Sequence, residues 1–519
     1  EPGQASSRFA LEEATIAELQ EAMASGRLSS RRITELYLAR IEAIDRQGPT
    51  LGSVIETNPE ALSIADSLDR ERQAQGPRGP LHGIPIALKD NIHTTDMPTT
   101  GGALAFLGFT PSYEATLTTR LKDAGAIIIA KTGMTELANW VAGAPTPMPT
   151  NYNAVSGFGF NPYDPRRDPR AGADGRPSLA TGGSSSGVGT AASFWAANVG
   201  TETSGSILSP ANQNMLVGIK PTVGRISRYG VIPITADQDT PGPIARTVRD
   251  AAILLGALEG AAPDPNDPGT RACTPPPGRD YTRHLTAGAL AGARIGIPRA
   301  FYYEASTPPG TKLPRGGLND AQSKVMQDAM NVLAAQGAII VDPADIPSVT
   351  AVDPRNNILL WSVCSGANQG RGADHDCSVA FKYGMKRDFN TWLATLGDSA
   401  PVASLTALRE WNIVHAAEGS MRYNQSSLDI SDEMDVERDR ARFEADRAKD
   451  VRLSVDEGLE AALVANKLDA LLFPDTMGAS IAARAGYPTV MVPFGFVDGE
   501  IAPPVAGFDP RAQPFGVGF

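Results

Sequence analysis

Two glycine–serine turns and one lysine are the residues whose types and spacing suggest chemistry. The turns are Gly182-Gly-Ser-Ser-Ser-Gly187 and Thr203-Ser-Gly-Ser206, and Ser184 and Ser206 stand 22 residues apart. The intervening stretch, Val188 to Ala197, reads as a small-residue helix, and a helix between two turns returns both serines to one end of a sheet. A nucleophile-elbow reading of Gly183-Ser-Ser-Ser-Gly187 needs a buried strand running straight into it. Ala171-Gly-Ala-Asp-Gly-Arg-Pro-Ser178 cannot supply one. A phosphate-cradling reading needs Lys then Ser or Thr after the last glycine, where Val188 and Gly189 stand instead. The plain alternative is a flexible loop with incidental serines.

A serine nucleophile needs a proton acceptor. The five histidines, His82, His93, His284, His375 and His415, sit in no supportive context. A lysine serves if burial lowers its pKa. Lys89 closes the apolar run Ile84 to Leu88. Taken alone, a lysine at a strand end is more often a solvated surface group.

The elements that must position these groups alternate. Thr15–Ala24 carries Ile16, Leu19 and Met23 at helical spacing, and Ser29 or Ser30 caps a second helix lined by Ile33, Leu36, Ile41 and Ile44. Pro59 is expected to open a third. Residues 84–88 and 126–130 read as buried strands, the second following a helix over 117–124. Residues 143–183 read as a long irregular loop, and loops of that length in compact proteins are functional or mobile. Residues 244–260 read as a helix, 293–298 as a strand, and 317–460 as mostly helical with a polar insert at 364–378. Strands return at 468–473 and 489–492. This is an α/β chain: a large mixed β-sheet covered by helices on both faces, with a helical insertion. The expected divisions are an N-terminal helical segment (1–80), a core (81–260), a variable, mostly helical insertion or lid (261–460) and C-terminal core strands (461–519).

Bulk composition narrows the function. The 519 residues carry a net charge of −12, which repels phosphate backbones and disfavours nucleic acid. The run Arg166, Arg167 and Arg170 reads as a solvated loop. No apolar stretch approaches the ~20 residues of a membrane helix. Three cysteines make neither a disulfide framework nor a zinc site. Cys364 and Cys377 can close a loop, given an oxidising compartment. The chain starts at Glu1 without a methionine, which reads as a processed or trimmed terminus; a cytoplasmic location is expected, with a secreted or periplasmic one as the alternative.

Several blocks, in order, resemble the amidase signature family: Gly83-Ile-Pro-Ile-Ala-Leu-Lys89-Asp-Asn91, Gly182–Gly187, Gly200-Thr-Glu-Thr-Ser-Gly-Ser206-Ile-Leu-Ser-Pro210 and Gly218-Ile-Lys-Pro-Thr-Val-Gly-Arg225. Asp239-Thr-Pro-Gly-Pro243 and Ala485-Gly-Tyr-Pro488 fit as well. The resemblance runs from about residue 10 to the end and is weakest between 260 and 460. It implies a triad in which Ser206 attacks the carbonyl, Ser184 relays the proton across a preceding cis peptide bond, and Lys89 is the ultimate base. It implies an oxyanion hole from the backbone of Thr203, Ser204 and Gly205, an acyl-enzyme on Ser206, and no cofactor or metal.

There are departures. Ser204 replaces the first of the family's two glycines, and the relay-to-nucleophile spacing is two residues shorter, which leaves Ser185 as a rival to Ser184. Gly133 stands where the family carries asparagine. The chain stops at Phe519, where the family continues through a final helix, so the resemblance reads the C-terminus as cut short.

Family members acting on free-acid substrates carry an arginine just after the nucleophile. Ile207-Leu208-Ser209 stands there, which favours a neutral substrate over glutamine or a small diacid. Phe381–Asn390, Ser404–Asn412 and Leu428–Asp432 resemble the bacterial peptide-amidase branch; as plain packing residues of a helical lid they read equally well. Loop residues Met148, Tyr152, Phe158 and Phe160 are a candidate pocket wall. Met134, Tyr152, Phe158 and Ser185 are the candidate substrate contacts. The expected substrate is a small neutral amide (primary, aryl or peptide-terminal), with esters and carbamates alongside, and the expected state a monomer or homodimer. Competing readings are a non-catalytic binding protein of the same fold and one component of a multi-chain amidotransferase.

Overall fold

The computed structural model describes residues 9–519. Its centre is a nine-stranded mixed sheet. In chain order the strands are β1 (Val54–Thr57), β2 (Pro85–Lys89), β3 (Ile127–Thr132), β4 (Ala197–Glu202), β5 (Val217–Lys220), β6 (Thr240–Ala245), β7 (Phe473–Pro474), β8 (Thr489–Val497) and β9 (Gln513–Gly518). The spatial order is β1-β3-β2-β4-β6-β5-β8-β9-β7. The pairs β3–β2 and β2–β4 are parallel and every other neighbouring pair is antiparallel.

Strands β2, β3, β4 and β6 are buried along their whole length. That explains their apolar or small-residue runs: a strand covered on both faces has no polar side to alternate with. The covering helices include Ala61–Gln75, Thr116–Asp123, Ser185–Ala191 and Val248–Leu258. The first helices are capped as expected. Thr15 and Glu18 form a reciprocal capping box before Ile16–Ala24, and Ser29 accepts from Arg32 N to start Ser30–Arg40. The third helix starts at Ala61, two residues after Pro59.

The expected helix over 188–197 is shorter and earlier: it spans Ser185–Ala191, and the chain re-enters the sheet as β4 at Ala197. Alanine, glycine and asparagine in β4 carry no strand signature, and at position 200 space is short. At Gly200 an added Cβ would stand 3.3 Å from Ile244. Strand β6 contains Pro241 and Pro243, which lack ladder donors. They are tolerated because β5 pairs only with the Ile244–Ala245 end of β6.

The expected irregular loop over 143–183 contains a short hairpin, Tyr152–Asn153 with Gly157–Phe158. Its arginines are not merely solvated: Arg166 pairs with Asp164 at 2.7 Å, and Arg170 with Asp168 at 2.5 Å. The expected strand over 468–473 is divided between two sheets. Ala470–Leu471 joins a small parallel sheet with Arg294–Gly296 and Ile339–Val341, whereas Phe473–Pro474 is β7. Residues 261–460 therefore hold two strands of this second sheet as well as the helices Asp320–Ala335, Ala380–Leu396, Leu405–Val414 and Arg440–Val451.

Cys364 and Cys377 form a disulfide inside this region, and both are buried. Closing a loop of this length restricts the unfolded chain by about 3 kcal/mol. Urea unfolding of Cys377→Ser should show a stability loss of that order, with the released thiol counted by alkylation; an unchanged midpoint would refute it. Among the described residues no helix is long and apolar enough to cross a membrane.

Candidate active site

Lys89 is the last residue of β2 and is completely buried. Its Nζ donates to the carbonyl oxygen and the hydroxyl of Thr201 on β4, both at 3.0 Å. Asn91 Nδ2 donates to the same hydroxyl at 3.0 Å. Burial disfavours the ammonium and brings the Lys89 pKa down to about 8, against the opposing fields of Asp239 and Glu202. A lysine held this way gives up its proton at a lower pH than a solvated one. The sheet has two further buried lysines. Lys131 pairs with Asp90 at 3.4 Å, whereas Lys220, also lowered to about 8 by burial, donates to its neighbour's carbonyl, Pro221 O.

The two glycine–serine turns meet. Gly182 has φ +80°, and a Cβ there would stand 2.4 Å from Pro210 N. The first turn therefore rests on the backbone of the helix that follows Ser206. A Cβ on Gly183 would stand 3.1 Å from Ser206 Oγ, so the nucleophile candidate lies directly against this turn. Asn214 Nδ2 ties the two together by donating to Thr181 O at 3.0 Å and Pro210 O at 2.8 Å. Gly182→Ala needs both a strained φ and a backbone shift. It is expected to cut turnover at least about tenfold, and a variant with parental kcat would contradict this packing.

Ser184 is buried and caps the helix Ser185–Ala191, accepting from Ser186 N at 3.2 Å. Its hydroxyl donates to Ser186 Oγ at 2.9 Å, and Ser186 in turn meets Thr132 Oγ1. Among the described residues Ser184 makes no hydrogen bond to Lys89 or Ser206, so the expected relay is not connected in this conformation. Among the described residues the cis peptide bonds all precede proline, and the Gly183–Ser184 bond is not one of them. The expectation of a cis bond there is thus not met. Ser184 takes up the extended cap geometry, φ −152° and ψ 131°. The side chain of Ser185 lies outside the described residues.

Ser206 is partly exposed at the end of the second turn. Gly205 has φ +97°, whereas Ser204 is not among the positive-φ residues. That separates the two positions: a glycine is needed at 205, and a serine is tolerated at 204. Among the described residues the N–H groups of 203–206 find no acceptor, which leaves them free for a carbonyl oxygen. Buried Glu202 fixes the exit of the turn, its Oε2 accepting from Ile207 N at 2.7 Å and Leu208 N at 3.0 Å. Thr203 is held by Asp239 and Gln238. Thr201, Glu202 and Asp239 all lie inside the sequence blocks, but nothing in their spacing assigned them these roles; buried polar residues flanking a glycine turn were the usable signal.

The candidate substrate contacts divide. Met134 is buried and bridges Ser184 through the backbone. Tyr152 and Phe158 pack on each other at 5.0 Å, and Tyr152 meets Tyr423 at 4.9 Å. Arg422 lies over Tyr152 and Phe158 at 5.0 and 5.8 Å. This cluster joins the hairpin to the insertion, the two rings packing on each other and against Arg422 and Tyr423. The histidines stand apart. His82 bonds Leu68 O, His93 accepts from Trp392 and is pushed down to about 3 by burial, His415 stacks on Trp411, and His284 and His375 are exposed.

Comparison with known proteins bears on this geometry. The family model Amidase matches residues 32–478. A native peptide amidase from Stenotrophomonas maltophilia superimposes with a TM-score of 0.80 at 35% identity, over 98% of this chain and 93% of that one. A probable amidase from Arabidopsis thaliana is 32% identical over 99% of this chain and 87% of its own length. A glutamyl-tRNA(Gln) amidotransferase polypeptide from Chloroflexus aurantiacus is 39% identical, but over 63% of this chain and 60% of its own. The chain belongs to the amidase signature family.

Proposed function

We propose that this enzyme hydrolyses the C–N bond of small neutral amides, peptide-terminal and aryl amides first among them, through an acyl-enzyme on Ser206. The observation that carries the reading is the contact of Ser206 Oγ with the Gly183 turn, at the end of a strand whose Thr201 holds the buried Lys89, its pKa lowered to about 8. In the reaction Ser206 Oγ bonds to the carbonyl carbon and its proton passes through Ser184 to neutral Lys89. The N–H groups of 203–206 take the developing oxyanion. Collapse breaks the C–N bond, and the leaving amine receives the proton back along the same path. Water then repeats the sequence to release the acid. This path requires the Ser184 hydroxyl to leave Ser186 Oγ, to which it donates here.

The likeness to a peptide amidase over nearly the whole chain supports a neutral acyl group, as does Ile207-Leu208 in place of an arginine after the nucleophile. Esters and carbamates share the same carbonyl geometry and belong on the same substrate list. A panel of an N-acetyl amino-acid amide, p-nitroacetanilide, an N-aryl carbamate and glutamine tests the reading. Hydrolysis of the first group without glutamine is expected, and activity on glutamine alone would overturn it. The Cys364–Cys377 bond weighs toward the oxidising alternative for location; alkylation of unreduced extracts, leaving both cysteines blocked, is the expected result.

A further inference from the structure

The loop before β6 grips Thr203 at two points. Asp239, buried, accepts the Thr203 hydroxyl on one carboxylate oxygen and the N–H groups of Ile234 and Thr235 on the other, at 2.9 and 3.0 Å. Gln238 Nε2 donates to Thr203 O at 3.1 Å. Both ends of the residue that opens the oxyanion turn are thus set by residues 234–239.

The same loop is gripped from its far side by the insertion. On the helix Ala380–Leu396, Asp388 Oδ2 accepts from Ala236 N at 2.7 Å and Arg387 donates to Asp237 at 2.9 Å. From the helix Arg440–Val451, Arg447 reaches Asp237 O at 3.5 Å. Arg228 closes the ring on Ala236 O. The contact is too close for a side chain: a Cβ on Gly384 would stand 2.3 Å from Thr235 Oγ1. A rigid chain of contacts therefore runs from the insertion, through residues 234–239, to Thr203.

We propose that Asp239 is a positioning residue for the oxyanion turn, and that the helix Ala380–Leu396 supports it, so the insertion takes part in aligning the carbonyl-binding N–H groups. This rests on Ser206 being the nucleophile. The physical reason is leverage. An oxyanion hole works only if its donors are already in place when charge develops, and misplacing one donor costs about 10²–10³ in turnover. The turn itself contains Gly205 in a left-handed conformation, so it needs an outside grip to hold one geometry. Burial pushes the Asp239 pKa up to about 7, against the donors from Thr203 and Ile234, with Asp388 raising it and Arg228 lowering it.

The test uses the full chain with N-acetyl-phenylalaninamide as substrate and a fluorophosphonate as an active-serine probe. Thr203→Val and Asp239→Asn should each lower kcat by about 10–100-fold with KM within about threefold, and slow phosphonylation in parallel. The double variant should be no worse than the poorer single one, because both cut the same link. Thr203→Ser, which keeps the hydroxyl, should retain about tenfold more kcat than Thr203→Val. Arg387→Ala, further out, should lower kcat by about fivefold and serves if Asp239→Asn does not fold. Additive losses, or a parental kcat in Thr203→Val, would overturn the proposal. A wild-type protein that the probe does not label at Ser206 would instead overturn the nucleophile assignment, which keeps the two failures distinct.

Discussion

Ser206→Ala is expected to lower kcat/KM on an amide substrate by about 10⁴-fold or more, with the melting temperature nearly unchanged. Ser206 is partly exposed and its hydroxyl has no hydrogen-bond partner among the described residues, so removing it opens no cavity and orphans no donor. Its whole value is as the atom that bonds to carbon. The residual rate would come from the N–H groups of 203–206, which the substitution leaves in place. Trapping the acyl-enzyme by mass spectrometry places the modification on the peptide containing Ser206. An alanine variant with more than about a tenth of parental activity would sink the assignment. Alanine in place of any single histidine should leave turnover within a few-fold, since all five lie in packing or at the surface.

Lys89→Met should be nearly as damaging, by about 10³–10⁴-fold, because the serine loses its proton acceptor. Two pH dependences identify the group. In the parent, kcat/KM should rise through about pH 8 and level off, since only the neutral amine accepts a proton. Asp239 and Glu202 face the lysine electrostatically, and both hold its pKa higher than burial alone would. Stability moves with it. Below pH 8 Lys89 is protonated both folded and unfolded, and the penalty for burying the charge is fully present. Between about 8 and the ordinary 10.5 the folded state gives up its proton first, so the penalty lifts as pH rises. The parent should therefore gain about 2–3 kcal/mol relative to Lys89→Met between pH 7 and pH 10. Urea midpoints across that range measure it, and parallel curves would show that Lys89 is not a buried titrating lysine.

The candidate site was legible in the sequence because backbone requirements leave marks on residue type. Gly182 has no room for a side chain and Gly205 has a left-handed φ, so both had to be glycine. The two glycine–serine turns stand out from their surroundings for that reason. Lys89 was visible because β2 is buried on both faces and reads as an unbroken apolar run that ends on it. The spacing of the turns announced a helix between them. That the intervening segment also contains a central strand was hidden, because Ala197, Asn198 and Gly200 interrupt any β signature in β4.

Other features belong to the tertiary structure alone. The aromatic side chains of Tyr152 and Phe158 suggested a pocket wall; that they pack against Arg422 and Tyr423 of the distant insertion is visible only in the folded chain. Thr201, Asp239 and Asn91 surround the lysine and the turn through contacts across neighbouring strands and loops that no local pattern encodes. The sequence by itself determined which residues could react and which family's blocks they form, since nucleophile, base and turn glycines are local chemical identities. Only the tertiary structure decided how far Lys89 is stripped of water, whether the two serine turns touch, and what holds Thr203. Desolvation and close approach are properties of what the rest of the chain packs around a residue.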